Sequence, residues 1–138
     1  MGNYQAIDHT ADKGFKVEAS SLEELFETSV KGLAKLSRKD LLGNTETVSQ
    51  SFIIDVEAED ITGLLVEFLS EILTLSHIHK TVFLKAEIET LDEKRVRAKI
   101  YGEKVEYFDE DIKAVTYHQA EVRQKESGEF ETKLVFDI

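Results

Sequence analysis

The chain has 138 residues, 41% of them hydrophobic, with no cysteine, tryptophan or proline. That suffices for one packed domain over residues 1–138, and it excludes a disordered chain, disulfides and thiolate metal sites. Seventeen basic against 28 acidic residues leave a net charge of −11, so phosphate backbones are repelled and no direct nucleic-acid partner is expected.

No basic segment followed by an apolar run opens the chain, and no apolar stretch reaches membrane-spanning length on inspection. The expectation is a cytoplasmic protein with no membrane partner. Near the start, Asp8-His9-Thr10-Ala11-Asp12-Lys13-Gly14 puts two carboxylates, an imidazole and a hydroxyl within five residues, without helical or strand periodicity. Phe15, Val17 and Ala19 then alternate with Lys16 and Glu18, the pattern of a half-buried strand. Ser21 followed by Glu24 reads as a capping box opening a helix, whose apolar stripe is Leu22, Leu25, Phe26, Val30, Leu33 and Leu36. Arg38 and Lys39 suit its negative C-terminal end, and Leu41 to Thr45 reads as a turn.

Phe52, Ile54, Val56 and Ala58 predict a second strand, and Asp60 caps a second helix with Ile61, Leu64, Leu65, Phe68, Leu69, Ile72 and Leu73 on its buried face. His77-Ile78-His79 leads into four strand-like runs. Val82, Leu84, Ala86 and Ile88 share one face of the first. Val96, Ala98 and Ile100 share one face of the next, across a short Leu91-Asp92-Glu93 connection. Ile112, Ala114, Thr116, His118, Ala120 and Val122 line the third, and Phe130, Leu134, Phe136 and Ile138 the fourth, joined through Ser127-Gly128. Such alternation means sheet with one dry and one wet face. The fold class is therefore α+β: two layers, with largely antiparallel sheet packed against two amphipathic helices.

The two ends of the chain carry the chemistry. Counting by twos, Ile138 falls on the core face with Phe136, and Asp137 on the polar face with Glu131 and Lys133. If folding brings the ends together, carboxylates from the first run, from Asp137 and from the chain terminus converge, the donor type a hard divalent cation needs. The same residues also suit an ordinary turn and a well-packed C-terminal strand. His118, on an apolar strand face, reads as a satisfied core histidine. His77 and His79 have no third imidazole nearby, so no zinc site is expected. Glu106 to Asp111 is acidic but lacks the calcium-loop spacing and reads as a solvated loop. No Gly-rich phosphate loop and no nucleophile elbow occurs. A possible cation site without a nucleophile and base favours a binding or helper protein over an enzyme.

Several runs resemble the archease family: His9-Thr10-Ala11-Asp12-Lys13-Gly14, Ser21-Leu22-Glu23-Glu24-Leu25-Phe26, Gly32-Leu33, and Leu64 through Leu73. Gly102-Glu103, Lys113-Ala114-Val115-Thr116-Tyr117-His118 and Val135-Phe136-Asp137-Ile138 extend the likeness to the last residue. The resemblance implies a small acidic, non-catalytic partner of an RtcB-type GTP-dependent RNA ligase in tRNA splicing and RNA repair. Such a partner promotes the ligase's covalent histidine–GMP intermediate and multiple turnover. It also implies a divalent cation, calcium, with magnesium or manganese as alternatives, on Asp12, Asp137 and the terminal carboxylate of Ile138. Asp8, His9 and His118 are candidate supporting residues. The segment Lys104 to Ile112 departs from the family by being short, acidic and without histidine, which bears on partner contacts rather than metal ligands. Two other readings stay open: a chaperone-like modulator of RNA-processing proteins, and a metal-dependent hydrolase with Asp8 or His9 as base. The oligomeric state is left open.

Overall fold

The structure, a computed structural model, describes residues 2–8, 12–41 and 48–138, and the backbone alone of Ile7, Asp8 and Asp12. The strands are β1 (Asn3–Asp8), β2 (Asp12–Ala19), β3 (Gln50–Glu57), β4 (Thr81–Leu91), β5 (Arg95–Lys104), β6 (Ala114–Thr116), β7 (Arg123–Gln124) and β8 (Phe130–Asp137). The helices are α1 (Leu22–Ser37) and α2 (Ile61–His79), with a 3-10 turn at Lys39–Leu41. One antiparallel sheet runs β1-β2-β8-β6, with β7 also on β8; the other runs β3-β5-β4. The fold is α+β with two antiparallel sheets and two helices, as the alternation predicts.

Both helices start where the sequence marks them. The Ser21 hydroxyl accepts the Glu24 N–H at 3.1 Å, and the Asp60 carboxylate accepts the Gly63 N–H at 2.7 Å. The return half of the box differs from expectation: Glu24 Oε1 accepts from the Ser20 N–H at 3.1 Å, one residue earlier. Each helix buries its apolar stripe in a core shared with both sheets. Phe26 of α1 meets Phe68 of α2 with ring centroids 5.3 Å apart, while Phe15 of β2 meets Phe136 of β8 at 5.4 Å. Gly32 lets α1 approach β2 this closely, since a Cβ there would fall 2.6 Å from the Phe15 ring.

Several expectations are corrected. α2 does not end before His77 but runs to His79, and Lys80 closes it in the left-handed conformation. By length and composition α2 could cross a membrane, contrary to the expectation of no such stretch. Its Leu64, Leu65, Val66, Phe68, Leu69, Ile72 and Leu73 are buried in the core. β4 does not keep one parity, because a register shift between Phe83 and Lys85 makes Leu84 an extra residue. Phe83 and Ala86 therefore join the main core, while Val82 and Leu84 pack with Ala34 in a smaller cluster. Of the expected strand from Ile112 to Val122 only β6 forms; a turn follows it, and β7 begins just past Val122. Val115, not Ala114 or Thr116, is the buried residue of β6. β1 was not anticipated; it pairs along β2 from Asn3↔Glu18 to Asp8↔Lys13.

At Gly14, opposite Val135, a Cβ would sit 2.2 Å from the Leu134 carbonyl oxygen. Backbone cannot give way as a flexible side chain can. Gly14→Ala is expected to lower stability by roughly 1–3 kcal/mol, the usual range for overpacking. The urea midpoint should fall with an unchanged slope; an unchanged midpoint would mean that β2 and β8 are not held this close.

Candidate functional site

The site is built where three strands end together. Asp137 is the last residue of β8, with Asp12 of β2 opposite it on one side and Ala114 of β6 on the other. The Lys113 N–H donates to the Asp137 carbonyl at 2.8 Å. Next to it, Phe136 is fully buried, and Ile138 packs its side chain against the core. The predicted parity holds: Phe136 is anchored inside, and Asp137 is exposed on the other face. Burial on one side and ladder bonds on the other thus fix the backbone that carries Asp137 and the Ile138 carboxyl.

Asp12 enters through its backbone, which the register sets directly across from Asp137. Asp8 ends β1, across from Lys13. His9 and the side chains of Asp8 and Asp12 lie outside the described residues. Among the described residues no three His, Asp or Glu side chains gather into a metal-binding group. Asp137 and the terminal carboxylate are the two expected donors within that set. An all-carboxylate donor set, with Asp12 as its third member, suits a hard cation such as calcium or magnesium.

Electrostatics sharpen the picture. Lys13 Nζ, one residue along β2 from Asp12, is 2.6 Å from Glu110 Oε1. The Asp137 carboxylate makes no ion pair among the described residues. Glu110 belongs to the segment read as a solvated loop, and it is a loop with Glu106, Tyr107, Asp109 and Asp111 exposed, but one held by specific contacts. Its neighbour Asp109 donates its N–H to the Ser37 carbonyl at 2.7 Å and accepts the Lys39 N–H at 3.0 Å. The Arg38 guanidinium stacks 4.1 Å from the Tyr107 ring centre and donates to the Tyr107 carbonyl. Its hydrogen bond to Asp40 raises its already high pKa further. The segment is a strap across the end of α1 that delivers Glu110 to Lys13. No local sequence pattern marks this, because each contact joins residues about seventy apart.

His118 is not a core histidine. It lies in the exposed turn after β6. β6 runs antiparallel to β8, from Ala114 opposite Asp137 to Thr116 opposite Val135. Position 118 thus moves away from Asp137, and the structure does not bring the two together. His77 and His79 sit on α2 with separate tasks. His77 Nε2 lies 2.7 Å from the Ile112 carbonyl, which can only accept, so that nitrogen carries the proton. His79 stacks on Phe52 at 4.6 Å. Beside Lys13 a cleft of about 400 Å³ is lined by Tyr4, Phe15, Lys35, Leu36, Lys39 and Glu110 among others. Among the described residues its lining holds no serine, threonine or histidine.

A family model described as the archease protein family (MTH1598/TM1083) matches residues 4–138. The chain belongs to the archease family. A protein archease of Pyrococcus furiosus is 36% identical over the full length of both chains. Another from Methanosarcina mazei is 34% identical, covering 98% of this chain and 95% of its own. The solution structure of Methanobacterium thermoautotrophicum protein 1598 shares the fold, with a TM-score of 0.76 at 24% identity over 98% of each chain. The crystal structure of a Thermotoga maritima archease, described as a possible chaperone, gives 0.55 at 20% identity over 97% of this chain and 96% of that one.

Within this family member, the turn carrying His118 is tied to α2 by the Tyr117 hydroxyl, which donates to Glu67 Oε1 at 2.8 Å. That hydrogen bond to a carboxylate, with some desolvation, holds the Tyr117 pKa above the ordinary phenol value. A raised pKa means that the contribution to stability is complete below the unfolded value of about 10 and is lost as pH rises through the folded value. Glu67→Gln should bring Tyr117 down toward ordinary titration. With no tryptophan and four tyrosines in the chain, phenolate absorbance reads this directly. An unshifted titration curve would mean that the pair is not formed.

Proposed function

We propose that this protein is a non-catalytic activator of an RtcB-type GTP-dependent RNA ligase in the cytoplasm. It would promote guanylylation and multiple turnover of the ligase in tRNA splicing and RNA repair. The observation that carries the reading is the register of Asp12 against Asp137, with Ile138 next along the strand, in a chain of the archease family. A net charge of −11 suits an electropositive protein partner, because attraction over a Debye length steers the encounter. The acidic chain contacts the ligase and leaves RNA to it.

Asp12, Asp137 and the Ile138 terminal carboxylate are the proposed cation ligands, with calcium the first choice and magnesium or manganese next. A bound divalent ion supplies a concentrated positive charge at an otherwise anionic strand end. The chain's own contribution is positional: buried Phe136 and the β2–β8–β6 ladder hold the carboxyl-bearing backbone in one place. An activator accelerates a partner only by binding its reactive state better than its resting state. The docked strand end would therefore favour the ligase conformation that reacts with GTP. A second reading, a chaperone-like modulator, draws on the description of the Thermotoga maritima relative as a possible chaperone.

The deciding experiment is RNA ligation with GTP, metal and limiting ligase. Wild type should raise turnover. Asp12→Asn, Asp137→Asn and an extension after Ile138, which converts the carboxylate to an amide, should abolish the rise. A chaperone-like role would survive all three, and no rise with a competent ligase would overturn the activator reading. Separately, calcium at a hundredfold excess over its Kd should stabilise wild type by about 2.7 kcal/mol. The thermal midpoint should rise by several degrees, and Asp137→Asn should lose that rise. Equal midpoints with and without each cation would remove the metal from the proposal.

A further inference from the structure

The three-stranded sheet has a bare edge. β3 pairs with β5 on one side and with no strand on the other among the described residues. The Ala58 N–H donates to the Lys94 carbonyl, and the Asp92 N–H to the Arg95 carbonyl. With Val56↔Val96 and Glu57↔Arg95 in register, these bonds set the alternation. Even-numbered residues of β3 turn their N–H and C=O to β5, and Ser51, Ile53 and Asp55 turn theirs outward.

Edges of this kind are normally blunted by lysine, proline, a bulge or shortness. Two of the other edges follow that rule, and the edge strand β1, though it too lacks lysine, proline and a register shift, shows no large exposed apolar side chain among its described residues. β4 carries two register shifts and lies against α1, and β6 is three residues long. β3 has eight residues, no register shift, no lysine and no proline. It also exposes apolar side chains on both faces. Ile53 is 55% exposed on the outer face, while Phe52 and Val56 are only partly covered on the core face. Ile78, 67% exposed, sits on the last turn of α2, whose His79 stacks on Phe52.

We infer that the free edge of β3 pairs antiparallel with β3 of a second copy of this chain, about a two-fold axis at Ile53. The argument for a second copy is self-complementarity. Centring on Ile53 sets Ile53 against Ile53 of the second copy, both with outward backbone groups. Asp55 then faces Ser51 of the second copy, so no carboxylate opposes a carboxylate, and the pairing ends before Ser49, whose N–H is donated to the Gly102 carbonyl. On the core face Phe52 meets Ile54 of the second copy. The local acids are already compensated: Arg95 holds Asp55 through two bonds of 2.9 Å, and lies 3.6 Å from Glu57. Arg97 lies 3.6 Å from Asp55. The two sheets join into one of six strands, with the chain-end carboxylates left in the other sheet.

Sedimentation equilibrium of the full chain tests this. Two chains per particle are expected at high micromolar concentration, with more dimer at about 0.5 M salt than at low salt, because screening relieves repulsion between two copies of net charge −11. Ser51→Pro removes an outward N–H that β5 does not use, and Ile53→Lys sets two ammonium groups together at the axis. Each should weaken the dimer at least about tenfold, with unchanged circular dichroism. Hydrogen exchange at the Ile53 amide should slow as wild-type concentration rises, a readout independent of how the proline variant folds. A single chain at every concentration and salt would overturn the inference. So would a dimer that Ile53→Lys leaves intact with the Ile53 amide unprotected.

Discussion

The antiparallel ladder between β2 and β8 is the constraint on which the rest hangs. It pairs residues near opposite ends of the chain, from Asp12↔Asp137 to Ala19↔Phe130. Closing so long a loop is less costly than it looks, since each doubling of length adds only about 0.6 kcal/mol. Against that, Phe15, Val17, Leu134 and Phe136 are all essentially buried on the core face of this ladder. Each contributes roughly 1.5–3 kcal/mol relative to exposure. Burial wins by a wide margin. Gly14 is the steric condition for it, as the only residue type that lets β8 pass so near. Both helices then find a floor: α1 packs on β2 through Gly32 and Phe15, and α2 packs on α1 through Phe68 and Phe26.

The second sheet is held by different means. β4 and β5 form a hairpin, and β3 joins β5 along its full length. Its outer face carries a lattice of charges: Arg95 with Asp55 and Glu57, Arg97 with Asp55 and Glu89, and Lys85 with Glu87. Lys85 and Lys99 also flank the Tyr101 ring. Exposed pairs of this kind contribute little each. The hydrogen bond to Arg95 nonetheless keeps Asp55 ionised to lower pH than an ordinary aspartate. Their larger effect is to neutralise an acidic chain locally.

Much of this was legible in the sequence where one period governed a whole segment. The stripes of both helices, their caps at Ser21 and Asp60, and the parity that anchors Phe136 and exposes Asp137 follow from spacing alone. Legibility failed where a single residue broke the period or where contacts were distant. The extra residue at Leu84 flips the face of β4, so Val82 could not be placed by counting from Ala86. His118 was placed inside because the apolar alternation runs on past Thr116, yet the chain turns there. β1 has few apolar residues and takes its strand form from β2. The strap from Glu106 to Asp111 is written in distant partners: the end of α1 and the turn after it, Lys13 of β2, and Lys80.

Acids along the strands of both sheets are paired, Glu18 and Glu131 with Lys16 and Lys125 in the larger one; the strand end differs. On the β3–β5–β4 face the acids are answered by arginines and lysines from neighbouring strands. At the β2–β8–β6 end the nearest strand cation, Lys13, is turned to Glu110, and the Asp137 carboxylate keeps no ion pair among the described residues. Among the described residues the Asp137 carboxylate thus stands apart from the paired strand acids, at the end where two segments of the family resemblance meet. The proposed cation or ligase surface would meet a carboxylate with no ion pair among the described residues there, and so would gain more than on the paired face. The proposed cation site and the proposed self-pairing edge therefore lie on different sheets.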